Sequence, residues 1–300
     1  MNLRELILRI IEKVEDTKET DKFDVLEEEI MKISDICSLL MEQFILIQFI
    51  PEFYPPSSSL EKEWSKSSDI LLTQYFRCLG YIAETLKARA NSPDVLVMKN
   101  NRQILVADAK CFRITRTARN QKDFKVDALS SWRKKASYAI LVAPLTLYPI
   151  KESQIYSQAT SKNVLLISYS QLQFLLINKD KFKLDDLEEN LFNVEKIIPQ
   201  KTNQMTEYFK YINRAILDLT SASPEDYFNF LKDKENLALS KVNQETLSWL
   251  NKLKERINKM DINQLRQEID KFYGISEKLR ILENNLKYAH KLMEIFKKSI

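Results

Sequence analysis

Two short apolar runs constrain this chain more than any other feature: Tyr138-Ala139-Ile140-Leu141-Val142-Ala143 and Val164-Leu165-Leu166-Ile167-Ser168. Neither alternates apolar with polar residues, as a strand with one wet face does. Each suits a strand covered on both faces. The spacing predicts a helix over 151–161 between them and another near 123–135 before the first. Upstream, 94–98 and 103–109 are β-rich runs joined by the polar turn Lys99-Asn100-Asn101-Arg102, which predicts a hairpin. A helix over about 67–87 precedes it. The order helix, hairpin, helix, strand, helix, strand predicts an α/β (α+β) fold, a mixed β-sheet flanked by helices.

Both ends read as helical. Leu3, Leu6, Ile7, Ile10, Ile11 and Val14 follow helical spacing over 2–15, and a second helix is expected from about Asp24 to about Phe49. Pro55-Pro56 followed by three serines marks a stiff joint. After about 200 no strand is expected, and Leu279, Leu282, Leu286, Ala289, Met293 and Phe296 form an apolar helix seam. The expected organisation is a helical N-terminal subdomain over 1–56, an α/β core over 57–200 and a helical C-terminal subdomain over 201–300.

Composition then excludes several chemistries. With only two glycines, Gly80 and Gly274, no Gly-rich loop can wrap a nucleotide phosphate, so no nucleotide cofactor is expected. The single histidine, His290, leaves no His pair, His-rich zinc site or His-centred triad to build. The three cysteines, Cys37, Cys78 and Cys111, lack metal-ligand spacing and predict buried thiols in a reducing compartment. No apolar stretch is long enough for a membrane span and the N-terminus does not read as a signal peptide, so a cytoplasmic protein without a membrane partner is expected. Whatever chemistry the chain performs must run mainly on carboxylates and lysine.

Those residues converge at the hairpin. Asp94 opens the first run, and thirteen residues separate it from Asp108-Ala109-Lys110 at the end of the second. Side chains two apart in a strand share a face, so Asp108 and Lys110 point the same way, and the turn folds Asp94 back toward them. Two carboxylates and an ammonium around one point suit phosphodiester hydrolysis. Magnesium takes hard oxygen ligands, one or two from protein carboxylates, with Asp94, Asp108 and the Ala109 backbone carbonyl as candidates. Lys110 can orient a water and stabilise charge on the pentacovalent phosphorus. A Pro-Asp dipeptide alone is an ordinary turn. Asp108 is not ordinary, because it ends an apolar run where an unpaired carboxylate is costly.

Positive charge is focused next to this acidic point. Residues 110–135 hold nine lysines and arginines against two aspartates, in a chain whose total is only +4, so the remainder is net acidic. Phosphate binding accounts for such focusing. Within it, Arg119-Asn120-Gln121-Lys122-Asp123 mixes donors with acceptors, as base reading in a groove requires.

Pro93-Asp94…Asp108-Ala109-Lys110 resembles the PD-(D/E)XK nuclease signature. The longer stretch 106–133, with Pro56-Ser57-Ser58, Glu61-Lys62, Asp69-Ile70, Tyr148-Pro149, Ser153-Gln154-Ile155 and Asn163-Val164-Leu165-Leu166, resembles the HindIII-type type II restriction endonucleases. The match covers about 55–170. The resemblance implies a restriction-endonuclease-like core and a homodimer on double-stranded DNA. It implies cleavage of the palindrome AAGCTT after its first A with Mg2+, for which Mn2+ substitutes. It assigns Asp94, Asp108 and Lys110 to catalysis, and Asn120, Lys122, Asp123 and Lys125 to a region that serves DNA contact or activity. Arg116, Arg119, Gln121, Ser57 and Ser58 complete the expected DNA-binding set. Two-fold protein symmetry also matches a palindrome physically. Two rival readings are a structure-directed nuclease of the same fold, for junctions or repair, and a DNA-binding protein without catalysis.

Overall fold

The computed structural model describes residues 1–18, 21–87, 92–116, 121–150, 152–273 and 279–280. The chain forms two units, Met1–Thr246 and Leu247–Ile300. The strands in chain order are β1 (Phe49–Ile50), β2 (Ile82–Thr85), β3 (Val95–Lys99), β4 (Arg102–Ala109), β5 (Phe112–Arg113), β6 (Tyr138–Ala143) and β7 (Val164–Ser168). Five make one mixed sheet in the order β2-β3-β4-β6-β7. β3 pairs antiparallel with β2 and β4, whereas β6 pairs parallel with β4 and β7. β1 and β5 form a separate short parallel pair.

The two apolar runs are the parallel strands β6 and β7. β7 is buried at every position and β6 at all but Tyr138, as strands covered on both faces should be. The hairpin turn is also where the polar signal placed it. Asn100 and Asn101 both have positive φ, at 51° and 61°, which a twisted two-residue hairpin turn requires and asparagine tolerates.

The helices of the first unit are α1 (Leu3–Glu15), α2 (Lys22–Met31), α3 (Ile36–Gln43), α4 (Ser59–Leu79), α5 (Gln121–Phe124), α6 (Val126–Trp132), α7 (Gln154–Ser161), α8 (Tyr169–Ile177), α9 (Leu184–Leu187), α10 (Val194–Ile197) and α11 (Met205–Thr220). α12 (Pro224–Asn258) follows, and α13 (Ile262–Tyr273) lies in the second unit. No strand follows Ser168 among the described residues. The C-terminal seam beyond Arg280 lies outside them, as does His290. No described helix is long and apolar enough to cross a membrane.

Three expectations are corrected. The single helix over 24–49 is two helices and a 3-10 turn at Phe44–Ile47, broken where Asp35 takes a left-handed φ of 54°. Ile30, Ile33, Cys37, Leu40 and Phe44 keep helical spacing across the break and so hide it. The helix over 67–87 is α4, which starts eight residues earlier and stops at Gly80. Gly80 has φ 106°, its N–H donates to Arg77 and that of Tyr81 to Phe76, a Schellman closure that only glycine enters cheaply. The freed residues form β2. The cysteines are not three thiols: Cys37 on α3 and Cys78 on α4 are disulfide-bonded, with Cα atoms 5.6 Å apart, and Cys111 alone is free and buried. Helix packing unites residues 41 apart, which spacing rules do not anticipate.

Arg4 ties the N-terminal helix to this frame. Fully buried, it makes a two-pronged ion pair with Glu245 at 2.8 and 2.7 Å, donates to the Leu46 and Phe49 carbonyls, and lies over the Trp64 ring at 4.7 Å. Arg4→Met strands both carbonyls and one acid, at a cost of about 3 kcal/mol. A fall in Tm on the order of 10 °C is expected, and a melt shifted by less than a quarter of that counts against it.

Candidate active site

The reactive face forms where the hairpin opens. Val95 pairs with Ala107, so the next residue back, Asp94, stands beside the next residue on, Asp108. Asp108 is 1% exposed at the end of β4, and Lys110 follows it on the same face. α4 packs on β2, β3 and β4 and brings a third acid, Asp69, also buried. One carboxylate oxygen from each of Asp69, Asp94 and Asp108 lies within 4.8 Å of the others.

Two ammoniums close the cluster. Lys110 pairs with Asp108, and its backbone N–H donates to the Val142 carbonyl at 2.7 Å, which fixes its base on β6. Lys66, one helical turn before Asp69, donates to Asp94 and stands 3.5 Å from Asp69 Oδ2. Behind Lys110 the Tyr169 hydroxyl donates to the Lys110 carbonyl at 3.4 Å and meets Cys111 Sγ at 3.4 Å. Burial pushes the Cys111 thiol up to about 11, so it is a neutral packing group at neutral pH and no nucleophile.

Burial, then the neighbouring Asp94 charge, holds the Asp69 carboxyl well above the usual carboxylate range. Asp108 is raised too, chiefly by burial, with Lys110 opposing and Asp94 adding to the shift. Both lysines are raised in spite of burial, the largest influence, because the carboxylates outweigh it: Asp108 foremost for Lys110, Asp69 and Asp94 for Lys66. Three acids thus face two fixed positive charges in a partly buried site, and a further cation lowers the cost of ionising them.

The residues fit a hard divalent cation. Every side-chain donor is a carboxylate oxygen. Oxygens around one such ion at roughly 2.0–2.6 Å span at most about 4–5 Å, a range that includes the 4.8 Å observed. Asp108 Oδ2 is buried and receives no regular hydrogen bond, since Lys110 meets it as an ion pair without hydrogen-bond angles. Ala109 N–H donates to Asp69 Oδ1 at 3.2 Å. In extended backbone the N–H and C=O of one residue share an edge, so the Ala109 carbonyl turns to that same side.

Asp94, Asp108, Ala109 and Lys110 are therefore brought together as expected from sequence. Arg116 pairs with Asp123 and lies over the Phe112 ring at 4.8 Å. Lys122 and Lys125 are exposed, and Lys125, at a left-handed φ of 47°, is near enough to favour the Asp108 carboxylate. Arg119 and Asn120 lie outside the described residues, and Gln121 begins α5. Ser58 caps α4, its hydroxyl accepting from Glu61 N–H at 3.3 Å, while exposed Ser57 donates its backbone N–H to the Glu61 carboxylate. These serines are about 16 Å along the helix from Asp69, away from the acidic cluster. Sequence reading missed Asp69 and Lys66 as site residues. The available signal was an aspartate set before Ile70-Leu71-Leu72, on a helix face too apolar to be solvated.

Comparison with known proteins agrees with this geometry. The family model described as HindIII restriction endonuclease matches residues 9–285. The type II restriction enzyme HindIII of Haemophilus influenzae (strain ATCC 51907 / DSM 11121 / KW20 / Rd) is 37% identical over 241 residues, covering 79% of this chain and 72% of that enzyme. With the family model spanning nearly the whole chain, this chain belongs to the HindIII restriction endonuclease family.

Proposed function

We infer that this type II restriction endonuclease hydrolyses double-stranded DNA at AAGCTT, after the first A, leaving 5′-phosphate ends, with Mg2+ as cofactor and Mn2+ as a substitute. The observation that carries the reading is the cluster itself: acids from β4, the residue before β3 and α4, with Lys110 paired to Asp108 beside them. The site sequence is supported by family membership and by the resemblance over 106–133.

Asp94, Asp108 and the Ala109 carbonyl would hold the cation, with Asp69 completing the oxygen set. When bound, the ion neutralises phosphate charge and acidifies water. Lys110 orients the attacking water and stabilises negative charge that grows on the phosphoryl oxygens. Asp108 keeps Lys110 charged and aimed. The 116–125 segment supplies contacts to the duplex: Arg116, Arg119, Lys122 and Lys125 to phosphates or guanine, Asn120 and Gln121 to adenine, Asp123 to cytosine. A palindrome cut on both strands calls for two active sites, hence a homodimer. Such an enzyme works inside the cell, where its DNA lies.

Digestion of a fully sequenced DNA, with Mg2+ and separately with EDTA, tests the reading. Fragment ends confined to AAGCTT and abolished by EDTA are expected. Discrete ends at another hexamer overturn the specificity. Scattered ends or cutting only at branched DNA favour the structure-directed alternative, and an absence of cutting favours a binding protein.

A further inference from the structure

Lys66 enters the acidic cluster from the helix side, opposite in role to Lys110. Its ammonium donates to Asp94 and lies 3.5 Å from Asp69 Oδ2, and its side chain is 24% exposed. Lys66 and Asp69 are three residues apart on α4, so the helix presents both on one face. Each flank of the cluster thus carries its own fixed cation, Lys110 on the strand flank and Lys66 on the helix flank. With all groups ionised, three carboxylates oppose two ammoniums, one negative charge in excess. A divalent ion reverses that excess, and a phosphate then restores neutrality.

We propose that Lys66 is a positioning residue that competes with the metal ion for Asp94 and Asp69, so that the free protein loads its cation weakly and a bound DNA phosphate is needed for tight loading. This rests on the cation-dependent reading of the same cluster. Lys66 keeps Asp69 and Asp94 from repelling one another while no ion is present, and it must yield or share Asp94 when one arrives. Like charges a few ångströms apart in a partly buried site repel strongly, so the competition is costly for the incoming ion.

Calorimetric titration of the full-length protein with Ca2+, with and without a duplex bearing the site that the wild type cuts, tests this without turnover. Lys66→Met should bind Ca2+ at least about tenfold more tightly than wild type in the absence of DNA, and the gain in affinity on adding duplex should shrink. Lys66→Arg keeps the charge and should behave as wild type. Near-ultraviolet circular dichroism verifies that both variants are folded. Unchanged or weaker Ca2+ binding by a folded Met variant, beside a wild type that does bind, overturns the role of Lys66 alone. Absence of Ca2+ binding in every protein, with or without DNA, overturns the metal reading and this inference with it.

Discussion

Lys110→Ala is expected to lower the single-turnover cleavage rate by about 10²–10⁴-fold, the range for loss of a charged or proton-handling group at a reacting centre. Binding of the cognate duplex in Ca2+ should remain close to wild type. The separation follows from where Lys110 sits. It is 20% exposed beside the acidic cluster, anchored by its backbone to Val142, and its ammonium is spent on Asp108 instead of on an open surface. A phosphate-binding lysine on the duplex footprint would lose affinity first and rate second. Lys110 should do the reverse, because the charge it stabilises is largest in the transition state. Loss of the partner also leaves Asp108 buried with less support, so a folding control by circular dichroism belongs with the assay. Cutting at the wild-type rate by the Ala variant sinks the catalytic assignment. A fall in binding that accounts for the whole loss of rate reassigns Lys110 to docking.

The parts of this site visible in sequence were those that local geometry unites. Asp94, Asp108 and Lys110 lie on one hairpin, so a turn signal and a period of two suffice to bring them together. The parallel strands β6 and β7 were visible for a related reason: a strand buried on both faces declares itself by unbroken apolar sequence. Asp69 and Lys66 were hidden because their place depends on which face of α4 meets the sheet, through contacts between residues 28 and 40 positions apart. In one dimension a Lys-x-x-Asp spacing on a helix is indistinguishable from a solvated surface pair.

The errors in the helices have the same origin. Apolar spacing survived the turn at Asp35 because the chain re-enters a helix on the same side of the core, so periodicity reported one element where there are two. β2 was absorbed into a helix because its alternation covers only four residues, with Ile82 on the exposed face and Ala83 and Thr85 buried. Gly80 was the punctuation that separates the two, and its left-handed φ shows why no other residue type serves as well there.

Asp69, one of the two site residues found only in three dimensions, should respond to substitution in opposite directions for activity and stability. Asp69→Asn should abolish or severely reduce cleavage, by about 10²-fold or more if Asp69 helps hold the cation, and yet stabilise the metal-free protein at neutral pH. Asp69 is buried against a second carboxylate, and its folded-state pKa is raised well above the ordinary 3.8. A raised carboxylate binds its proton more tightly in the folded state than in the unfolded one. Its stabilising contribution is therefore complete below the ordinary value and is lost as pH climbs from there through the raised value. Asparagine keeps an oxygen for the Ala109 N–H, carries no charge and has nothing to ionise. In EDTA the melting temperatures of variant and wild type should converge in acid and separate as pH rises to 7, with the Asn protein higher. Mg2+ should raise the wild type more than the variant and narrow or reverse the gap. Should the Asn protein melt lower than wild type at pH 7 without metal, the ion pair with Lys66 outweighs burial, and Asp69 is a structural partner of the helix in place of a strained ligand awaiting its ion.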